Sequence, residues 1–345
     1  MKIGITYDLK TDWVKKDSDP ADINAEFDKP ETLEMIIAAI ESGGHEVIRI
    51  GNFHQLIQCV EDLNVDFVYN MCEGRSGRNR ESQVPIILEM NQIPYLGADA
   101  LSLGVTLDKI MAKKVFMGQN IPTPGYFSAE STDDLEQLNT IGFPLMVKTK
   151  HEGSSKGINN ESRVQNITEL KRRVDFINRT YSQPALVEQF IAGREFTVPV
   201  LGNATPVAMP VVQICIDGNL ELDDRIYTNE RIYSAALKYV CPAQITPELT
   251  KEIQEIAVKV FRSVDCRDLA RIDFRVSKEG RPYVLEINPL PTMDKEDVFH
   301  VFPQLFGLDF NQILNIILNI SLARYGLIDQ TEQELLKPFY QEINA

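Results

Sequence analysis

Apolar and polar positions alternate strictly along residues 270–276, where Ile272, Phe274 and Val276 fall on one side and Arg271, Asp273 and Arg275 on the other. A period of two is the mark of a half-buried strand. After Lys278-Glu279-Gly280-Arg281 a second alternation sets Leu285 and Ile287 against Glu286 and Asn288. With Glu279-Gly280 as the two central residues of a tight turn, the hairpin register places Asp273 opposite Glu286 and Arg271 opposite Asn288. The first hundred residues follow a different rhythm. The apolar runs KIGITY, HEVIRI and VDFVYN alternate with helical spacing over about 31–42, 53–61 and 81–91, which predicts a small parallel α/β unit. Gly43-Gly44 closes its first helix.

A helix over 107–119 carries Lys109, Lys113 and Lys114 and is stopped by Ile121-Pro122-Thr123-Pro124, a boundary signal. A strand over 144–149, a Gly/Ser loop over 151–157, a helix over 168–181 and a strand over 185–190 read as a second compact lobe. The remainder is strand-rich, with helices predicted over 247–263, 310–325 and 331–340. The expected division is 1–104, 105–190 and 191–345, an α/β architecture whose later lobes are α+β. Between residues 12 and 29 lies a long polar stretch containing Trp13, the only tryptophan. Such a loop reads either as a mobile surface insertion or as a cap over a substrate.

Composition narrows the partners. A chain of 345 residues exceeds the size at which a single core stops growing. Its net charge of −15 argues against nucleic acid or an anionic membrane as partner. Cys59, Cys72, Cys215, Cys241 and Cys266 show no paired or metal-like spacing, and the N-terminal residues form no apolar signal segment, so a cytoplasmic location with reduced thiols is expected. No window approaches the ~18 uninterrupted apolar residues of a membrane span.

Three segments carry candidate chemistry. Opposed carboxylates destabilise a hairpin unless a cation lies between them, and Asp273, Glu286 and the Asn288 amide make an oxygen-rich set suited to Mg²⁺; an ordinary solvated hairpin face is the plainer alternative. The loop His151-Glu152-Gly153-Ser154-Ser155-Lys156-Gly157 follows a strand carrying Lys148. Small residues let its backbone amides approach phosphate oxygens, although it lacks the GxxxxGK[ST] pattern and also reads as a plain connector. Glu188 and Glu195 flank a bend at Gly193, a form compatible with the hinge of an adenosine pocket or with any strand-turn-strand.

Taken together, LDKIMAK (107–113), FPLMVKTKHEGSSKG (143–157), LVEQFIAGREFTV (186–198), YVCPAQI (239–245), ARIDF (270–274) and LEINPLP (285–291) resemble the ATP-grasp fold, and within it the D-alanine–D-alanine ligase group. The resemblance covers most of the chain from about residue 65. It implies an ATP-dependent carboxylate–amine ligase with Mg²⁺, as two ions, or Mn²⁺ in its place, acting on small amino-acid-derived substrates as a homodimer. By position, Lys109 and Lys148 would meet nucleotide phosphates, with Ser154 and Ser155 in the loop that covers them. Glu188, Gln189 and Ile191 would line the adenine pocket and Glu195 would hold the ribose. Asp273, Glu286 and Asn288 match the metal ligands. Arg271, with Lys148 and Ser154, matches the catalytic groups, and Arg271 and backbone N–H groups of the 289–293 turn would steady the anion formed on amine attack.

The departures concern substrate. The family's Gly-Gly-x-Ser-x-Glu segment, whose Glu holds the first substrate's ammonium, is replaced by Tyr7-Asp8-Leu9-Lys10. Its His-Gly becomes Glu73-Gly74, followed by Arg75, Arg78 and Arg80, and its Lys-Tyr pair becomes Arg231-Ile232 unless a shift brings in Tyr233. Thr292 and Asp297 stand where the family has Gly and Ser. Glu73, Arg75, Arg78, Arg80 and Arg231, with Thr292 and Asp297, are therefore the expected substrate set, arginine being well shaped for carboxylates, although each arginine also reads as a surface ion-pair partner. The expected product is a peptide or amino-acid conjugate, or the amino-acid adduct of mycosporine-glycine through an activated enone oxygen. A genuine D-alanine–D-alanine ligase and a catalytically idle nucleotide-binding scaffold are the alternatives.

Overall fold

The computed structural model describes residues 1–135, 138, 140–228 and 236–343. The chain opens with β1 (Lys2–Tyr7), α1 (Pro30–Ser42), β2 (Glu46–Gly51), α2 (Phe53–Cys59), β3 (Phe67–Met71) and α3 (Gln83–Met90). The strands form a parallel three-stranded sheet in the order β2-β1-β3, as the alternation predicts. Pro30 sits in the first turn of α1, and Gly43 caps its end by donating to Ala39 and Ile40 carbonyls. The predicted helix over 81–91 starts later, because residues 80–82 form a separate 3₁₀ turn.

The helix predicted over 107–119 is present as α5 (Lys109–Gly118), and a further short helix that the pattern does not suggest, α4 (Ala100–Leu107), precedes it. Asp108 separates the two. Its backbone is extended and its carboxylate accepts the amides of Ile110 and Met111 at 3.1 Å, so the side chain caps α5 and fixes its start. Next come β4 (Tyr126–Ala129), β5 (Leu145–Thr149), β6 (Arg163–Val164), α6 (Ile167–Tyr181) and β7 (Ala185–Gln189). Their antiparallel sheet runs β4-β7-β5-β6 and is backed by Leu170, Val174 and Ile177 of α6.

β8 (Gly193–Gly202), β9 (Val207–Ala208), β10 (Val212–Ile216), β11 (Leu237–Val240), α7 (Pro247–Ser263), β12 (Asp268–Ser277) and β13 (Pro282–Asn288) complete a six-stranded sheet, ordered β11-β10-β8-β12-β13 with β9 on β8. In the β12–β13 hairpin Asp273 does face Glu286 and Arg271 does face Asn288. The route to that register differs from the expected two-residue turn. Ser277 and Arg281 close a three-residue loop in which Gly280 takes a left-handed φ of +82°, and a bulge next to Asp273 leaves Leu285 without an opposite residue. The extra turn residue and the bulge offset each other.

The chain ends with α8 (Phe302–Phe306), α9 (Phe310–Arg324) and α10 (Glu332–Ile343). Leu314 and Ile317 of α9 and Leu336 and Phe339 of α10 share one buried core with Ile3 and Ile5 of β1, Ile36 of α1 and Leu201 of β8. The late helices therefore complete the packing of the first unit. No single helix among the described residues is long and apolar enough to cross a membrane.

Candidate active site

One cleft is lined by all three sheets: by Ala25–Lys29, Glu73 and Glu81 from the first unit, Lys148 and the 152–156 loop from the second, and the β12–β13 hairpin with the 289–298 turn from the third. At its floor the Asp273 carboxylate accepts from Thr197 Oγ1 at 2.6 Å, Asn288 Nδ2 at 3.1 Å and Arg271 Nε at 3.2 Å. Arg271 also reaches Asp297 at 3.3 Å, so its guanidinium lies between two carboxylates. Asp297 caps the following turn by accepting the Val298 amide at 2.6 Å. Glu286 instead faces Lys109 at 3.3 Å. Burial works to raise the Glu286 carboxyl, but Lys109, Lys148 and Arg271 outweigh it and bring it down to about 2.

The lysines are held by carboxylates. Glu188 receives Lys113 and Lys148, each at 2.8 Å, and Lys113 is fully buried. Sequence reading noted Lys113 only as a helix residue; its position four after Lys109, on one face of α5, was the available signal. Lys109 donates to the Glu152 carbonyl. Glu195 pairs with Arg275 at 2.8 Å, directly across β8 and β12. Gln189 and Ile191 also line the cleft. The structure thus brings together Lys109, Lys148, Ser154, Ser155, Glu188, Gln189, Ile191, Glu195, Arg271, Asp273, Glu286, Asn288, Thr292 and Asp297 on one cavity wall.

The stretch after β1 packs onto the Gly/Ser loop. Its ends are joined where the Asp28 amide donates to the Asp8 carbonyl and Lys10 to Asp28. Asp22 accepts the Gly157 amide at 2.7 Å and the Tyr181 hydroxyl at 2.8 Å. Glu26 accepts the Gly153 amide at 2.5 Å and Lys156 Nζ at 2.8 Å, and pairs with Arg80. A Cβ on Gly153 would come within 2.9 Å of that Glu26 oxygen, so a larger residue there would push the Glu26 carboxylate aside. From beneath, Gln183 Oε1 accepts the amides of Lys150 and His151 at 3.0 and 2.8 Å. Of the two readings of this stretch, the structure gives the packed one: a strap across the loop, contributing Ala25–Lys29 to the cavity.

The arginines expected to hold substrate are not on the cavity wall. Arg75 stacks over Trp13 at 3.9 Å, Arg78 pairs with Asp108 at 2.8 Å, and Arg80 serves Glu26 and the His151 carbonyl. Each has found an internal carboxylate or ring, which satisfies it more cheaply than an open cleft. Arg231 and Tyr233 lie outside the described residues. Of the expected set, Glu73 does line the cavity, joined by Glu81 and Asp28, which sequence reading missed. Nothing local marks those two; the fold alone brings them to the wall. Thr292 donates to Asp28 at 3.2 Å.

The overall shape is that of the ATP-grasp class. D-alanine–D-alanine ligase from Bacillus anthracis, solved in complex with ATP, superposes with a TM-score of 0.73 at 23% identity over 95% of this chain and 99% of that one. The VanG D-Ala:D-Ser ligase from Enterococcus faecalis superposes at 0.71, with 20% identity over 93% and 99% of the two chains. In sequence, residues 119–319, more than half of the chain, match the family model described as D-ala D-ala ligase C-terminus. D-alanine–D-alanine ligase of Carboxydothermus hydrogenoformans is 31% identical over 84% of this chain and 92% of its own. The uncharacterized protein y4sG of Sinorhizobium fredii is 33% identical over 85% and 88%. The chain belongs to the D-alanine–D-alanine ligase family, and is an ATP-dependent carboxylate–amine ligase.

Proposed function

We propose that the cleft binds ATP with Mg²⁺ and joins an amine to an activated acyl group, in a reaction whose substrates are not two D-alanines. The donor set fits the ion: two carboxylates and an amide oxygen, arranged across one hairpin with Lys109 and Lys148 beside them, leave room for phosphate oxygens in a hard-ligand shell. Asp273, Glu286 and Asn288 would hold it, and ion and nucleotide together supply charge neutralisation and the phosphoryl group that activates a carboxylate. Lys148, fixed by Glu188, presents a cation to phosphate. Ser154 and Ser155, in left-handed backbone conformations with φ of +45° and +53°, turn the loop back over the cleft. Gln189 and Ile191 at the end of β7 offer strand backbone to an adenine, and Glu195 a carboxylate to ribose. Arg271, braced by Asp273 and Asp297, stabilises the oxyanion that develops when the amine attacks.

The observation that carries this reading is the convergence of the hairpin carboxylates, the paired lysines and Arg271 in one cleft; an idle scaffold has no need of that arrangement. The altered substrate is supported by the replacement of the family's ammonium-holding segment and by the charged residues now present on that side. Purified protein with ATP, Mg²⁺ and pairs drawn from a panel of amino acids should release phosphate only with the matching pair, the product being read by mass spectrometry. Robust turnover with D-alanine alone would overturn the substrate part, and absence of ATP binding at millimolar concentration would overturn the whole.

A further inference from the structure

Lys113, near the middle of α5, has no exposed surface and stands behind the cavity wall. Its ammonium meets three groups: Glu188 Oε2 at 2.8 Å, Thr123 Oγ1 at 2.7 Å, and the face of Tyr126, whose ring centroid is 5.7 Å away. Thr123 passes its own hydrogen to the Val284 carbonyl at 2.9 Å. The cation is thus fully satisfied and dry. Yet a buried ion pair adds little net stability, since desolvating two charges offsets their attraction, and an apolar side chain of similar volume often serves a fold as well. The presence of a charge at this position asks for a use other than packing.

Glu188 supplies it. On β7 it stands opposite Met146 of β5, so Lys148, two residues farther along β5, rises from the same face. The carboxylate, in a residue only 2% exposed, gives Oε1 to Lys148 and Oε2 to Lys113. One anion therefore serves two ammonium groups, and one positive charge is left over. Of the three side chains only Glu188 and Lys148 reach the cavity, so the surplus faces the cleft through Lys148. Burial works to lower Lys148, but Glu188, Glu286 and Glu195 carry it above its ordinary range. Lys113 moves the other way, lowered by burial and by Lys148 against the pull of Glu188.

Resting on the nucleotide reading above, we propose that Lys113 is a positioning residue that keeps the charge of Lys148 available to nucleotide phosphate by occupying half of the Glu188 carboxylate. Glu188 can then hold Lys148 in place without neutralising it. Were Lys113 uncharged, the whole carboxylate would answer Lys148 alone, and the pair would present no net charge to an incoming anion. In a dry site at an effective dielectric of about 20, one unit charge several ångströms from phosphate corresponds to roughly tenfold to a hundredfold in affinity.

The test measures, by calorimetry on the full chain with Mg²⁺, the affinities of the β,γ-imido analogue of ATP and of adenosine, which has no phosphate. Lys113→Met should reduce the preference for the phosphate-bearing ligand by about tenfold to a hundredfold and leave adenosine affinity unchanged. Lys113→Gln, which keeps a hydrogen-bonding side chain and loses the charge, should do the same and stands in if the first variant fails to fold. Adding Glu188→Gln to either should recover most of the lost preference, because Lys148 then faces a neutral amide; for a merely structural Lys113 the second substitution would deepen the damage. An unchanged preference in the neutral variants, equal weakening of both ligands, or a double variant worse than the single would overturn the assignment alone. A native protein that binds neither ligand defeats the nucleotide reading, and this role with it.

Discussion

Arg271 sits between Asp273 and Asp297, at 3.2 and 3.3 Å, so its orientation is fixed by two carboxylates at once. Lysine in its place would keep the charge and lose the planar fork. Arg271→Lys is expected to lower kcat by about 100-fold or more, with the KM for ATP little changed, as for removal of one oxyanion donor; steady-state kinetics with the cognate pair reads both. Carboxylates elsewhere in the cleft split into two kinds. For Glu26, burial raises the carboxyl, but Arg80 and Lys156 prevail and bring it to about 2. Its stabilisation is therefore complete above the unfolded value near 4.5 and is lost as pH falls from there toward 2. Asp28 and Glu81, raised to about 7 by burial, act in the opposite sense: the unfolded chain ionises first, so stability declines as pH rises from about 4 through 7. The melting temperature of the ligand-free protein should rise from pH 2 to 4.5 and fall toward pH 7, and the second limb should flatten in the Asp28→Asn, Glu81→Gln double variant.

At the scale of elements, the strap and the hairpin show what a linear pattern can and cannot convey. The strap holds the phosphate-side loop through Glu26 and Asp22, so Glu26→Gln, which keeps the shape and removes the charge, should raise the KM for ATP by about tenfold. kcat should stay close to the native value, because no reacting group moves. An unchanged KM would show that the loop keeps its position unaided. The hairpin was legible because period-two alternation is local and Asp273, Glu286 and Asn288 lie on one polar face. Its bulge at Leu285 was not, since an extra turn residue and an unpaired strand residue cancel in the register that matters. The start of α5 was legible to within two residues, whereas α4 (Ala100–Leu107) was not, being only two turns long. The misjudged arginines have another cause. Arg78 and Arg80 meet Asp108 and Glu26, partners tens of residues distant, and adjacency along the chain carries no record of such meetings. Glu81 escaped notice for the same reason.

Across the whole molecule, the first unit and the C-terminal part of the chain are tied at several points. Lys29 pairs with Asp294 and Glu296 at 3.2 and 3.1 Å, and Arg324 with Asp268 at 2.8 Å, the same carboxylate that accepts the Gly97 amide at 2.8 Å. The larger tie is apolar. Leu336 of α10 is fully buried in the core that also holds Ile3 and Ile5. Leu336→Ala should cost about 2–5 kcal/mol, and hydrogen exchange should quicken in β1 and β3 although the substitution lies at the other end of the chain. The order of architectural parts was readable from alternation and turn signals; their interlocking was not, because an amphipathic helix announces an apolar face and not its partner. That interlocking bears on how the protein is made. The first sheet, complete at Met71, emerges from the ribosome about 240 residues before α9 begins at Phe310, so Ile3, Ile36 and their neighbours wait with their apolar surface open for most of synthesis. Nascent chains halted before α9 should be cut readily by protease within the first hundred residues, and the fold should snap shut late, as one long-range event and not unit by unit.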